Sequence, residues 1–352
     1  MQIARESIFV SSLRGFFRCF FSVFGIVFGL LVASFLYSML SSAPIHEEKT
    51  ELSFLPDLEG QSKMLPTTAP AILQIDLHGV IGDLHGIQAE DIKQILMSSR
   101  TGLLSNDRVK GILLHIDTPG GEVTASDNIY QLIKSYKEKY HVPVFAFVNG
   151  LCASGGMYIS SSTDQIFASP TSIIGSIGVI IGPFFNVADT MAKLGVASKT
   201  LTAGLDKDMM SPFRTWKPEE DASLKAILAS MYNRFVDIVT ANRPHVDKTK
   251  LVNEYGAHVF DVVKAQEIGY IDQANATYEQ ALAALLETAQ IDPTKPYQVV
   301  ELKPVQNWLK ALVESKSSVL KGTIEHTFNW TNQPSYKLHD PFLYLYQPGQ
   351  TF

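Results

Sequence analysis

The chain has 352 residues, of which 46% are hydrophobic and 18% charged, with a formal net charge of −6. This charge, and the absence of a basic run with a groove-binding pattern, argues against nucleic acid as a partner. The only two cysteines are Cys19 and Cys152, so the chain is not a domain held together by disulfides.

The first element in chain order is an uncharged apolar run over residues 19–40, long enough to cross a bilayer. Arginines precede it and glutamates follow it, so the positive-inside rule predicts a cytoplasmic N-terminus, residues 1–18, and an extracytoplasmic remainder. A cleaved signal peptide is the alternative, but the run is long for one. We therefore expect a single-pass anchor in the cell (inner) membrane.

Residues 41–70 are polar and contain four prolines, which predicts a linker. Strand and helix patterns then alternate, which predicts an α/β domain of mainly parallel strands over residues 71–295. Residues 296–352 are less regular, and we interpret them as a C-terminal extension that could make subunit contacts. Its aromatic end, residues 342–346, suits a terminal strand or a packing arm.

Hydrophobic periodicity sets the expected elements of this domain. The predicted strands are 71–77, 109–116, 142–148, 165–168 and one near 178–181. The predicted helices are 87–97, 124–140, 154–161, 185–194 and one that begins at Pro218.

Ser154 lies where the third predicted strand gives way to a helix, and two glycines follow it. A tight turn at a helix start places a side-chain oxygen beside free backbone N–H groups, which favour a developing anion. This layout is typical of nucleophilic acyl transfer. Cys152, two residues earlier, is interpreted as a small buried apolar residue rather than a reactive thiol.

A serine nucleophile needs a base, and nine histidines are available. His115 lies two residues before Asp117 on a predicted strand, but neighbours on one strand rarely form a base–orienter pair. His78 and His258 have no surrounding motif, so a structural or surface role is preferred for all three. Spacing alone does not exclude a histidine.

Lys207 is the other candidate base, because it lies in a loop bounded by glycine and proline. A lysine accepts a proton only when its amine is neutral, so burial has to lower its pKa from about 10.4. The flanking Asp206 and Asp208 have to point away from that amine. From the residue pattern alone, the choice of base stays open.

Five segments occur in a specific order and spacing over residues 113–272, close to half of the chain. They are Asp117-Thr118-Pro119-Gly120-Gly121, Ala153-Ser154-Gly155-Gly156-Met157-Tyr158-Ile159, Gly175-Ser176-Ile177-Gly178-Val179, Lys207-Asp208-Met209-Met210-Ser211-Pro212, and a closing element from Val259 to Asp272. Together they resemble the signal peptide peptidase A family of membrane-anchored serine–lysine proteases.

The resemblance implies that Ser154 is the nucleophile, Lys207 the general base and Ser176 the serine that orients the lysine amine. It also implies a ClpP/crotonase-like α/β superhelix after the transmembrane helix. We assign the oxyanion hole to the amides of Gly121, from the resemblance, and Gly155, because it follows the nucleophile.

Two further expectations come from the resemblance. Clipped signal peptides or other apolar peptides are the implied substrates. A homo-oligomeric ring is implied, in which the lysine of one subunit completes the serine of its neighbour. No cofactor or metal is expected, because neither a His-Glu-x-x-His pattern nor a Walker loop occurs.

Two other functions compete with the endopeptidase. One is a crotonase-type acyl-CoA enzyme, because that fold also uses paired backbone amides to hold an oxyanion. The other is an inactive, membrane-tethered scaffold or binding protein on the same fold. The anchor and the full set of Ser154, Ser176 and Lys207 argue against the acyl-CoA enzyme, and the filled catalytic positions argue against the inactive scaffold.

Overall fold

The apolar run near the N-terminus forms one helix, α1 (Ile8–Ser41), in the computed structural model, which describes residues 8–41, 50–83, 86–305 and 342–346. Its segment Ser12–Ser38 has a mean hydropathy of 2.5 and no buried residues, so its length and composition would let it cross a membrane. This helix lies in a unit, Met1–Glu48, that is separate from the rest of the chain.

The second unit, Lys49–Phe352, contains all the other described elements. Its strands are β1 (Thr50–Leu55), β2 (Ala71–His78), β3 (Val109–Thr118), β4 (Gly120–Glu122), β5 (Val144–Ala153), β6 (Gln165–Ala168), β7 (Ile173–Gly175), β8 (Val259–Phe260), β9 (Gln298–Pro304) and β10 (Leu343–Leu345). Its helices are α2 (Ala89–Ser98), α3 (Val123–Tyr140), α4 (Gly155–Ser160), α5 (Ala188–Lys193), α6 (Ala222–Asn242), α7 (Lys248–Lys250), α8 (Val262–Ile268) and α9 (Tyr278–Thr288).

The main sheet has the strand order β1-β9-β2-β3-β5-β7-β8, with β6 also paired to β5. Its central strands run parallel, and only β1 and β8 are antiparallel to their neighbours. A second, two-stranded sheet joins β4 and β10. The predicted α/β architecture of mainly parallel strands is confirmed.

Helices cover both faces of the main sheet. Along β3, Ile112 and Leu114 belong to the larger hydrophobic cluster, which contains residues of α3 and α6, while Leu113 belongs to the smaller cluster, which contains residues of α9. Side chains of a strand alternate between its two faces, so burial on both faces requires a continuous apolar run. This is why the run Gly-Ile-Leu-Leu-His-Ile forms a central strand.

The structure differs from the sequence-based expectation at both ends of the domain. Residues 50–55, expected in a linker, form β1, which pairs with β9 from Thr50↔Pro304 to Leu55↔Val299. β9 itself lies in the range expected as a C-terminal extension and extends the main sheet next to β2. Because the two segments are far apart in the chain, the residues of neither segment alone indicate that they would pair as strands.

One further element differs from its expected position, and one agrees with an expectation. The strand expected near residues 178–181 lies earlier, at β7, because the pairing partners of β5 are residues 173–175. The aromatic end forms β10, as one of the two expectations had it, and Ile180 makes an isolated bridge to Leu343. Most of the expected C-terminal extension, residues 306–341 and 347–352, lies outside the described residues.

Candidate active site

Ser154 occupies a strained turn between β5 and α4. Its backbone has φ 53° and ψ −112°, outside the ordinary regions for a residue with a Cβ, and only 1% of its surface is exposed. The Ser154 N–H donates to the carbonyl of Gly175 at 2.8 Å, and its own carbonyl accepts from Tyr158 at 3.0 Å. Strain of this kind is concentrated at functional sites, where the surrounding structure holds it in place.

The two glycines assigned to an oxyanion hole lie in tightly packed backbone. A Cβ on Gly121 would lie 1.9 Å from the carbonyl oxygen of Ile81, and one on Gly155 would lie 2.6 Å from Ser126 Oγ. A Cβ on Gly120, whose φ is +95°, would lie 2.7 Å from the Gly155 nitrogen. The structure therefore brings β4 against the turn that carries Ser154.

Ser176 lies directly after β7 and is 7% exposed, with φ 55°. Its N–H donates to the carbonyl of His258 at 2.8 Å. The preceding residue, Gly175, is the one that accepts from the Ser154 N–H, and it pairs with Ala153. Ser176 and Ser154 are thus held on neighbouring strand ends, each by a backbone in the left-handed region.

Lys207 lies in an exposed loop between α5 and α6, and within the described ranges no hydrogen bond or ion pair joins its side chain to another residue. The structure does not bring Lys207 and Ser154 into contact within one chain. The two flanking carboxylates pair with other cations and not with the Lys207 amine, which is what a neutral lysine requires. Asp206 pairs with Lys217 at 2.9 Å and Asp208 pairs with Arg214 at 2.8 Å.

Cys152 is fully buried, and burial raises the pKa of its thiol to about 12. A thiol with so high a pKa is not a nucleophile at neutral pH. The prediction that Cys152 is a buried apolar residue is confirmed.

Sequence reasoning missed a side-chain cluster on β2 and β3. Asp76 Oδ1 lies 3.5 Å from His115 Nδ1, and the rings of His115 and His78 are 4.6 Å apart. Burial alone would raise the pKa of Asp76, but hydrogen bonds from His115 and Gln74, and the nearby histidine charges, lower it to about 2. The three potential ligand atoms lie within 4.8 Å of one another, a spacing that could hold a metal ion. Strand register, which the sequence does not reveal, creates this cluster.

The sequence also did not reveal that β10 would lie beside the serine turn. β10 pairs antiparallel with β4, the strand that carries Gly120 and Gly121. The aromatic end of the chain suited a terminal strand or a packing arm, and its residue types do not indicate which strand it would pair with. The serine lies on a buried turn, a glycine strand lies beside it, and an extended segment runs along that strand.

Two family models match the chain. The model of peptidase family S49 matches residues 137–292, which include Ser154, Ser176 and Lys207. The Clp protease model matches residues 84–175, a range that begins shortly before α2 and ends with β7. These matches confirm the ClpP-like fold that the sequence predicted.

Curated relatives agree with the family match. A candidate signal peptide peptidase SppA of Enterococcus faecium is 33% identical over 218 residues, 61% of this chain and 62% of that protein. A candidate protease of Synechocystis sp., slr0021, is 33% identical over 216 residues, 61% of this chain and 74% of that protein. The chloroplastic serine protease SPPA of Arabidopsis thaliana is 29% identical over 213 residues, 60% of this chain and 31% of that protein. The chain thus spans less than two thirds of the first and third of these relatives.

Proposed function

The chain belongs to peptidase family S49, and we propose that it is a serine endopeptidase with Ser154 as nucleophile and Lys207 as general base. The observation that carries the proposal is the serine turn itself. Ser154 is buried and strained at the end of β5, and β4 lies against the following residue. Backbone strain is concentrated at functional sites, which supports a nucleophile at this position over a serine with a purely structural role.

The proposed reaction begins when neutral Lys207 takes the proton of Ser154 Oγ, which attacks the carbonyl carbon of a substrate peptide bond. The amides of Gly121 and Gly155 donate to the resulting oxyanion. Collapse of the intermediate breaks the carbon–nitrogen bond, and the lysine proton goes to the leaving amine. Water then hydrolyses the acyl-serine ester and regenerates Ser154.

In this proposal, Lys207 acts on the Ser154 of a second, neighbouring copy of the chain. Large apolar side chains are exposed around it and on the preceding α5 segment: Phe185 73%, Leu194 74%, Leu201 86% and Leu205 93%. Exposed apolar surface of this extent is typical of a protein–protein interface. A ring of identical subunits would bury this surface and desolvate the lysine amine beside a neighbouring Ser154. Ser176 would orient that amine.

The apolar helix α1 is the basis for the substrates and the compartment that we propose. With α1 as an anchor over residues 19–40 and the N-terminus in the cytoplasm, the catalytic domain lies outside the cytoplasm, close to the bilayer. Clipped signal peptides and other apolar peptides that leave a membrane are the substrates we propose for it. The mechanism draws on no metal or cofactor.

A fluorophosphonate probe, which reacts with activated serines, tests the proposal on the full-length protein in detergent. We expect labelling that is lost in Ser154→Ala and in Lys207→Ala, and retained in the matched control Lys199→Ala, which changes another exposed lysine upstream. Labelling that survives Ser154→Ala contradicts the proposal. Tight binding of coenzyme A without labelling would point instead to an acyl-CoA enzyme.

A further inference from the structure

Three potential metal ligands lie side by side on β2 and β3. Asp76 and His78 are two residues apart on β2, so their side chains point to the same face of the sheet, and His115 on β3 is the register partner of Asp76. Asp76 Oδ1 lies 3.5 Å from His115 Nδ1, and the rings of His115 and His78 are 4.6 Å apart. One ligand atom of each residue lies within 4.8 Å of the other two, so a single ion could contact all three side chains.

The separation of these atoms is close to that in a zinc site. Zn²⁺ binds imidazole nitrogen and carboxylate oxygen at about 2.0–2.2 Å, so ligand atoms at tetrahedral positions are about 3.4 Å apart. Asp76 and His115 already have this separation. His78 is exposed, so rotation of its ring can bring the third ligand atom closer to the other two.

A chain of hydrogen bonds holds the Asp76 carboxylate in position. Gln74, which is 7% exposed, donates from Nε2 to Asp76 Oδ1 at 2.7 Å, and the Tyr278 hydroxyl donates to Gln74 Oε1 at 2.6 Å. Carboxylates that bind metal ions are themselves hydrogen-bonded in this way by residues that do not touch the ion. The bond from Gln74 uses one lone pair of the carboxylate and leaves the others for an ion.

Packing holds the ring of His115. It lies 5.8 Å from the ring of Phe147 on β5 and 6.3 Å from the ring of Tyr278 on α9, and its side chain is half-buried. A side chain that is already held by its neighbours loses little conformational entropy when it binds a ligand. Asp76 and His115 therefore form a preorganised pair of ligands, and only His78 has to adjust.

The surroundings leave room for an ion and for water. A cavity of about 490 Å³ opens beside His115 and is lined also by Gln74 and Tyr278. A zinc site with three protein ligands takes water in its fourth position, and this cavity can supply it. On the neighbouring strand β9, the Lys303 ammonium pairs with Glu301 at 3.1 Å, so this cation is already paired with another carboxylate.

Two imidazoles and one carboxylate favour a transition metal ion over Mg²⁺ or Ca²⁺, which prefer oxygen ligands. We propose that Asp76, His78 and His115 bind one Zn²⁺ ion per chain, with water in the remaining position. The ion would join β2 to β3 and stabilise the folded chain, because the three ligands come together only on folding. It takes no part in the proposed hydrolysis, whose residues are separate from these three.

Isothermal titration calorimetry with zinc chloride tests the inference on the full-length protein in detergent, without a histidine tag and after treatment with a chelator. Ser154→Ala is the background, because it excludes proteolysis during the titration. We expect one ion per chain. His78→Ala and Asp76→Asn should each weaken binding at least about 100-fold, since loss of even a hydrogen-bonding partner behind a ligand costs about 10–100-fold. His141→Asn, at an exposed histidine with φ 52°, a conformation that asparagine tolerates, is the matched control and should bind as the background does.

Gln74→Met tests whether the site is built or is only a pair of surface histidines. It removes the donor to Asp76 and no ligand, so zinc affinity should fall about 10–100-fold. Zinc should also raise the Tm of the background protein and leave the Tm of His78→Ala unchanged. His78 is exposed, so its variant decides the result if the change at Asp76 disturbs the strand.

Three results would overturn the inference: no zinc binding by the background protein, equal affinity in His78→Ala, or equal affinity in Gln74→Met. The titration measures no hydrolysis. Its outcome is therefore independent of the proposed peptidase function.

Discussion

The Ser154 N–H donates to the carbonyl oxygen of Gly175 at 2.8 Å, which ties the turn that carries the serine to the residue before Ser176. The two serines have nearly the same positive φ, 53° at Ser154 and 55° at Ser176. Both conformations cost free energy, so the packing of β5 against β7 has to maintain them together. The serine turn is therefore preformed in a single chain, whereas the lysine loop is not in contact with it.

Gly155→Ala is expected to damage this turn. The new methyl group would lie 2.6 Å from Ser126 Oγ and 3.0 Å from Ile81 Cδ1, so the backbone has to shift. We expect a loss of about 1–3 kcal/mol in the free energy of unfolding. If the Gly155 amide is an oxyanion donor, as proposed, its displacement would also lower kcat by at least about tenfold, because a donor that has moved binds the oxyanion poorly.

The double variant Ser126→Ala/Gly155→Ala is the control for this steric account. Removing the hydroxyl makes room for the methyl group, so the double variant is expected to be more stable than the sum of the two single changes. Denaturant unfolding and peptide hydrolysis are the measurements. Strict additivity in stability would show that the crowding at Ser126 is not the cause.

Arg214→Ala is expected to disorganise the loop that carries Lys207. Arg214 Nε lies 2.8 Å from Asp208 Oδ2, and its Nη1 lies 2.8 Å from Glu220 Oε2. Without the guanidinium, Asp208 is free to approach Lys207 and hold its amine protonated, which opposes the proposed role of Lys207 as a base. We expect kcat to fall at least about tenfold, since misplacing a catalytic group by about 1 Å has effects of that size or larger.

Arg214→Lys separates the positioning of the loop from the effect of charge. A lysine restores one positive charge but cannot pair with Asp208 and Glu220 in the way the planar guanidinium does. It is expected to recover only part of kcat. Lys225→Ala, which breaks an exposed ion pair to Asp221, is the matched control and should leave kcat unchanged. Steady-state kinetics with circular dichroism on each variant provide the check, and wild-type kcat in Arg214→Ala would rule out the positioning role.

Asp76 is expected to make the free energy of unfolding of the second unit, Lys49–Phe352, depend on pH in the acid range. Its pKa is lowered from 3.8 to about 2 in the folded protein, so the unfolded chain binds the proton more readily. The stabilisation is fully present above pH 3.8 and is lost as the pH falls towards 2.

Asp76→Asn removes this dependence, so thermal unfolding across the acid range should give a flatter curve for the variant than for the wild type. Asp107→Asn, at a residue whose side chain is 78% exposed and pairs with Arg100, is the control. Parallel curves for the wild type and Asp76→Asn would contradict this account of the cluster.

The sequence predicted those parts of the fold and site that depend on local residue types. A parallel strand buried on both faces needs the apolar run of β3, and a turn packed against a second backbone needs the glycines after Ser154. Such requirements appear within a few consecutive residues. For this reason the predicted positions of the central strands, and of Ser154 at the end of one of them, lie close to those in the structure.

The parts that the sequence did not predict depend on pairing between distant segments. β1 and β9 pair although nearly the whole second unit separates them in the sequence. Asp76 and His115 come together only through the register of β2 and β3. The contact between β10 and β4 is of the same kind. Nothing near Tyr344 in the sequence identifies the two rings, Tyr158 and Phe235, that enclose it.

The most direct test of the proposed mechanism mixes two inactive proteins, Ser154→Ala and Lys207→Ala, under conditions in which subunits exchange. If the lysine of one copy completes the serine of its neighbour, random mixing at equal amounts creates intact sites, and peptide hydrolysis should return to about one quarter of the wild-type rate. If co-assembled subunits regain no activity at any ratio, a site shared between neighbouring copies is contradicted.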